Sequence, residues 1–365
     1  MRTDDFKLAI AGLGYWGPNY LRAASDLEGV QVVAACDPSA AARQRQERKY
    51  RHVHFTPSYE ELLADDEIDG IVLATPIATH YELAREALLA GKPVLVEKPM
   101  AASAEECHDL IGVARERDVV LMPGHTFLYS PPVLAIKRML DEGELGNIAF
   151  ATSTRVNLGI HRGDDSVIRD LAPHDFSIIL FWLGKPDFVR AVGRDAIVDG
   201  LLDVAFVDVG YRSGCLVRIE VAWVAPTKLR RTVLVGSQKM VVYDDTSQEK
   251  VRVFDMGVDV GAPESFGEHQ LSYRSGDILT PRLDAVEPLR MELQDFIDSV
   301  RQGREPRSGA QLGLDVMHLV EAAERSLAFN GVAVSVDPDA EERRRRPDRR
   351  QSRFGQRPLP TSVRV

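Results

Sequence analysis

Three glycines at fixed spacing, Gly12, Gly14 and Gly17, constrain this chain more than any other feature. They follow the short apolar run Lys-Leu-Ala-Ile-Ala at 7–11. From about Gly17 to Leu27 the apolar spacing turns helical. Each glycine has its own steric task in a strand–turn–helix unit. Gly12 permits the tight turn, Gly14 lets the backbone approach a pyrophosphate, and Gly17 lets the helix pack closely on the sheet. The amides near Tyr15 and Trp16 then face an anion at a helix N-terminus, where the dipole favours negative charge. A second apolar run at 30–36 ends in Asp37. A carboxylate there accepts hydrogen bonds from the adenosine ribose and repels a 2′-phosphate. The pattern therefore predicts a nicotinamide dinucleotide site, with NAD favoured over NADP, although Arg43 and Arg45 lie nearby.

Further short apolar runs at 69–74, 93–96 and 118–122 read as strands, with a helix-like stretch at 79–90. Strands alternating with helices predict βαβ units and a parallel sheet over residues 1–125. After residue 125 the rhythm changes. Helical segments are expected at 131–142 and 169–183, and period-two runs at 147–157, 188–195, 202–211, 215–224, 229–235, 239–244 and 249–255. In the fourth of these, Val217, Ile219, Val221 and Trp223 point one way. That pattern predicts a mainly antiparallel sheet with one wetter face. The stretch 257–284 reads as a long loop, and amphipathic helices follow at 285–302 and 309–328, the last stopped by Phe329-Asn330-Gly331. The expected fold is α/β: an N-terminal Rossmann domain, then an α+β domain at 126–338 with an open, mainly antiparallel sheet.

Residues 339–365 are rich in arginine and poor in large apolar residues, and read as a solvated extension or a segment that docks on the acidic remainder. The formal net charge of −10 argues against a general nucleic-acid binder. Cys36, Cys107 and Cys215 form no CxxC pair. They predict no metal site and fit a reducing, cytoplasmic setting. No apolar run reaches the roughly 20 residues that span a bilayer, and no signal-peptide pattern opens the chain.

Other motifs carry a resemblance. Thr75-Pro76 with His80, then Glu97-Lys98-Pro99, then Asp170-Leu171-Ala172-Pro173-His174-Asp175, resemble the Gfo/Idh/MocA family of sugar and cyclitol dehydrogenases over about residues 6–336. The resemblance implies a substrate held between the two domains, over the nicotinamide, and an open sheet that makes subunit contacts in a homo-oligomer. It implies that Thr75, Pro76, His80, Glu97 and Lys98 adjoin the cofactor, and that Lys98, Asp170 and His174 are catalytic. The chemistry is coherent. Oxidising a secondary alcohol needs a base for the hydroxyl proton, which a histidine supplies near neutral pH. Asp170 lies one helical turn before His174 and is placed to orient it. Lys98 is placed to stabilise negative charge on the substrate oxygen.

His125, Tyr129, Arg155, Asn157 and Asp175 fall where the second domain lines the cleft, and are expected to meet substrate. Lys228, Arg230 and Arg231 either hold a diphosphate or blunt a sheet edge. Two positions depart from the family pattern: Arg169 stands where Trp is common, and Ser130 where Asn is common. Beside the aspartate, Arg169 either binds an anionic substrate group or points to solvent. The expected activity is hydride transfer between NAD and a secondary ring alcohol of a sugar, perhaps a nucleotide-sugar at C3. The alternatives are a cyclitol dehydrogenase or a non-catalytic NAD-binding regulator.

Overall fold

The structure, a computed structural model, describes residues 5–159, 166–260 and 271–336. The arginine-rich segment at 339–365 lies outside them. The first sheet holds six parallel strands: β1 (Phe6–Ala11), β2 (Val30–Cys36), β3 (His54–Thr56), β4 (Gly70–Leu73), β5 (Val94–Glu97) and β6 (Leu121–Gly124), in the order β3-β2-β1-β4-β5-β6. Helices α1 (Gly17–Ser25), α2 (Ala40–Glu47), α3 (Tyr59–Ala64), α4 (His80–Leu89) and α5 (Ala104–Arg117) cross between the strands. With both faces covered, central strands need apolar residues throughout, and all of β4 and β5 is buried. Strand order reverses between β1 and β4, so their C-terminal ends open a crevice.

Serine side chains at Ser39, Ser58 and Ser103 start α2, α3 and α5 by accepting first-turn amides. Asp118 ends α5 in the left-handed region at φ 53°. Residues 118–120 are thus spent on the helix stop and its exit, so the last strand begins at Leu121, later than the apolar run suggested.

The second half adds α6 (Pro131–Asp141), β7 (Ile148–Leu158), α7 (Val167–Leu183), β8 (Phe188–Arg194), β9 (Val204–Gly210), β10 (Leu216–Ala222), β11 (Val224–Gly236), β12 (Met240–Asp244) and β13 (Val251–Phe254). β14 (Gly257–Val260) then pairs with β15 (Leu271–Arg274), and β16 (Ile278–Leu279) edges the large sheet. The stretch read as one long loop therefore contains three short strands. Its glycines and charged residues hide any alternation. Helices α8 (Pro288–Gln302) and α9 (Ala310–Ala328) and the short β17 (Val334–Ser335) finish the described chain. The large sheet runs β16-β13-β12-β11-β7-β10-β9-β8-β17, antiparallel except for β7 beside β10. Alternation does its expected work here. Val189, Val207, Val217, Ile219 and Val221 are buried beneath α7 and α9, whereas Phe150, Val192, Phe206 and Leu216 lie exposed on the opposite face.

The glycine loop gives a paired test. A Cβ on Gly17 would stand 1.9 Å from the Gly12 carbonyl oxygen, but one on Gly14 would meet nothing within 4 Å. Gly17→Ala is expected to lose about 1–3 kcal/mol in denaturant unfolding, as overpacking does. Gly14→Ala should stay within about 0.5 kcal/mol of the parent, any defect appearing in dinucleotide binding instead.

Candidate active site

The crevice above β1 and β4 is a cleft of about 670 Å3 whose lining includes Gly14, Tyr15, Trp16, Asp37, Thr75 and Pro76. Gly12 forms its floor at φ +91°, where an added Cβ would lie 2.5 Å from the Ala74 oxygen. The backbone is thus bare where a pyrophosphate must come close, and Tyr15 and Trp16 stand open beside it. At the far rim, Asp37 Oδ2 accepts the Leu13 amide at 2.7 Å and Oδ1 accepts the Ser39 amide at 2.8 Å. Arg43 is turned back onto the carbonyls of Asp37 and Pro38. These residues fit a dinucleotide: open backbone for phosphates, a fixed carboxylate for ribose hydroxyls.

His80 does not line this cleft. Its ring is buried, with Nδ1 2.8 Å from the Pro99 oxygen and Nε2 2.9 Å from the Thr75 oxygen. Burial holds its pKa below the ordinary value. His80 therefore ties the segment after β4 to the segment after β5.

Glu97 also faces away from the cleft. Its Oε1 accepts the Tyr20 hydroxyl at 2.9 Å, and its Oε2 accepts the Lys98 amide at 3.1 Å. The same Tyr20 oxygen lies 3.3 Å from Glu292 Oε2, which accepts Thr126 Oγ1 at 3.0 Å. Both carboxyls are buried. One hydroxyl proton cannot serve two carboxylates. Burial, then the nearby Glu97, pushes Glu292 well above the carboxyl range, and burial raises Glu97 as well. Glu292 accordingly keeps its proton to higher pH than an exposed carboxyl, and in that form it can donate to Tyr20 while Tyr20 donates to Glu97.

Lys98 reaches across from the end of β5. Its ammonium donates to the Asp170 carbonyl at 2.8 Å and lies 3.4 Å from Oδ1. The other carboxylate oxygen accepts the Trp223 indole N–H at 3.1 Å. Asp170 sits in the first turn of α7, where Ser166 caps the helix and negative charge is favoured. The expected Asp170–His174 hydrogen bond is absent among the described residues, because the carboxylate is drawn to the ammonium and the indole. His174 instead sets its ring edge to face against Phe127, centroids 5.1 Å apart. Its pKa falls well below the usual value through burial first, then the charges of Lys98, Arg155 and Arg230. It is a neutral imidazole at neutral pH. His125, at the end of β6, is buried with neither ring nitrogen partnered among the described residues, and burial pushes it down to about 3.

Other expected substrate contacts point elsewhere. The Tyr129 hydroxyl donates to Asp295 Oδ2 at 2.8 Å and accepts the Ser308 amide at 3.1 Å in the core. The single turn at 126–129 buries Leu128 and Tyr129 and leaves Phe127 near the site. Arg169 makes a bidentate pair with Glu324 at 2.6 and 2.7 Å and donates to the Ala102 oxygen at 2.9 Å. It clamps α7 to α9 and is not a free cation for substrate. Asp175 is buried, accepting Ser153 Oγ at 2.7 Å and Arg155 Nε at 2.6 Å. It anchors Arg155. Asn157 lies half-buried on the Arg155 side of β7. Trp223, Tyr20, Phe127 and Glu292 went unpredicted as site residues. Trp223 showed only as an inward residue of an alternating strand, and Glu292 carries no local motif.

With this geometry in view, comparison with known proteins is informative. A GFO/IDH/MocA family model, described as an oxidoreductase family with an NAD-binding Rossmann fold, matches residues 6–125, and the GFO/IDH/MocA C-terminal domain model matches residues 133–242. Inositol 2-dehydrogenase of Rhizobium meliloti is 25% identical over 334 residues, which is 88% of this chain and 97% of that protein. UDP-N-acetylglucosamine 3-dehydrogenase of Acidithiobacillus ferrooxidans, 23% identical, superposes with a TM-score of 0.73 over 88% of this chain and 98% of its own. An oxidoreductase from Agrobacterium radiobacter, solved with NAD+, L-tartaric acid and magnesium, gives 0.77 at 21% identity over 92% and 99%. The last two likenesses show the fold.

The buried carboxyl pair has a measurable signature. Glu292 is raised above its ordinary 4.5, so the folded state holds a proton that the unfolded chain releases. Its contribution is full below that value and is lost as pH rises toward the folded pKa. Glu292→Gln keeps the donor to Tyr20 without the proton. Its denaturant stability should fall less between pH 5 and 8 than that of the parent; equal slopes would refute a protonated Glu292.

Proposed function

Because the chain belongs to the GFO/IDH/MocA oxidoreductase family, we propose that it oxidises a secondary ring hydroxyl of a sugar or cyclitol. The supporting observation is an ammonium and a neutral imidazole, Lys98 and His174, at the meeting of β5 and α7. In this reading Gly12, Gly14, Tyr15, Trp16, Thr75 and Pro76 hold the dinucleotide, and Asp37 selects NAD over NADP. The bound dinucleotide supplies the hydride acceptor. Lys98 donates a hydrogen bond to the substrate oxygen and stabilises the alkoxide that forms as its proton leaves. His174 accepts that proton. Its low proton affinity makes it a relay more than a store. Asp170 and Trp223 fix Lys98; Glu97, Tyr20 and Glu292 back the strand that carries it.

The relatives named above are an inositol dehydrogenase and a nucleotide-sugar dehydrogenase. A ring polyol is what their substrates share. The exposed apolar residues Phe150, Phe206 and Leu216 suit the large sheet to pack on a second copy. Light scattering should then show a dimer or larger, and Phe206→Lys should weaken it.

Lys98→Met and His174→Ala should each lower kcat by about 10²–10⁴ while NAD binding is retained, followed as NADH absorbance over inositols, free sugars and nucleotide sugars. Full turnover by either variant would overturn its assigned role. Since His174 lies below 6.5 in the free protein, the acid limb of kcat/KM should fall below that pH. NAD binding with no turnover across the panel would favour a regulator on the same fold.

A further inference from the structure

The cations around His174 outnumber the acids that face them. Arg155 and Arg230 are opposite each other on β7 and β11, on the sheet face that carries the buried Ser153–Thr232 contact. Their guanidinium carbons lie 4.6 and 5.6 Å from the Phe127 ring centroid, and Phe127 abuts His174. Asp175 takes the Nε and Nη2 of Arg155. The remaining Nη1 is buried with no acceptor among the described residues. An N–H left unmatched in this way keeps its full desolvation penalty, which is greater still on a charged group.

Arg230 is held more loosely still. Among the described residues its guanidinium meets Asp245 through a single contact 3.4 Å long, and Asp245 is shared with Lys250, whose ammonium lies 3.2 Å from Oδ1 and 2.7 Å from the Asp245 carbonyl oxygen. Close by, Asp170 serves Lys98. Asp170, Asp175 and Asp245 therefore balance only part of the charge on Lys98, Arg155, Arg230 and Lys250. With Arg169 engaged by Glu324, the oxyanion contact that its sequence position suggested moves to this pair of arginines.

We propose that the substrate carries an oxyanion, a carboxylate or a phosphate, that the Arg155–Arg230 pair receives beside Phe127. This rests on the dehydrogenase reading above and narrows its substrate class. Two guanidiniums side by side match the fork geometry of either oxyanion. The anion supplies the missing acceptor for Arg155 and the missing negative charge for Arg230. It also lessens the field that depresses His174, so the imidazole becomes a better base once substrate is seated.

The test uses pairs that differ only in the charged group: D-glucose with D-glucuronate, D-glucose with glucose 6-phosphate, and myo-inositol with myo-inositol 1-phosphate. Binding to the NAD-loaded protein is measured by calorimetry, and kcat/KM separately by NADH absorbance. The anionic member of at least one pair should bind at least tenfold tighter. The responding pair tells carboxylate from phosphate. Arg230→Gln should erase the preference, and Arg230→Lys should restore part of it. Arg230 is the position to vary, since removing Arg155 strands the buried Asp175. Binding preference without turnover would refute the dehydrogenase reading and keep the anion site. Turnover of neutral polyols with no anion preference, or a preference unchanged in Arg230→Gln, would overturn the anion site alone.

Discussion

Lys98 leaves the end of a parallel strand and reaches the first turn of a helix that belongs to the other sheet. Its side chain is only 14% exposed. An ammonium so placed must be given oxygen acceptors, because burying a charge unpaired costs far more than a helix or strand gains by packing. Asp170 supplies both a carbonyl and a carboxylate, and Trp223 holds the carboxylate in place. Behind the lysine, Glu97, Tyr20 and Glu292 share protons in a buried chain that reaches α8. The two halves of the molecule are thus joined where the reactive groups stand. Movement of α7 or α8 would be felt at the lysine.

The electrostatics of the site have a direction. Asp170, Asp175 and Asp245 are each committed to a nearby cation, and His174 is left facing positive charge from several sides. A neutral imidazole in such a field gives up protons readily and accepts them reluctantly. A substrate that builds negative charge beside it changes that balance. In the proposed function, proton acceptance by His174 and the growth of charge on the substrate oxygen beside Lys98 therefore advance together.

What could be read from the sequence was what local spacing determines. The glycine loop, the buried strands around it and the in-out alternation of 216–223 all depend on neighbours a few residues away, and they are found in the structure. That Lys98 and Asp170 share one site was an implication of the family resemblance. Partners distant in the chain were not legible. Nothing near Arg169 announces Glu324, nothing near Tyr129 announces Asp295, and nothing near Glu97 announces Glu292. In each case the fold brought a complementary group to a side chain that sequence position alone would have turned toward substrate or, for Glu97, toward the cofactor. The segment 257–284 failed for another reason: its strands are two to four residues long and give no period to detect.

Asp37 reads the ribose in the proposed function, but both of its oxygens already receive backbone amides, from Leu13 in the glycine loop and from Ser39 at the cap of α2. The carboxylate is therefore a splice between two turns as well as a recognition element. Cofactor choice and loop shape cannot drift independently in this chain. An exchange to an apolar residue that admitted a 2′-phosphate would also strand two amides. Any lineage or design that changes cofactor here must put another acceptor in the same place, an Asn or a Ser, before it can exploit the arginine that waits at position 43.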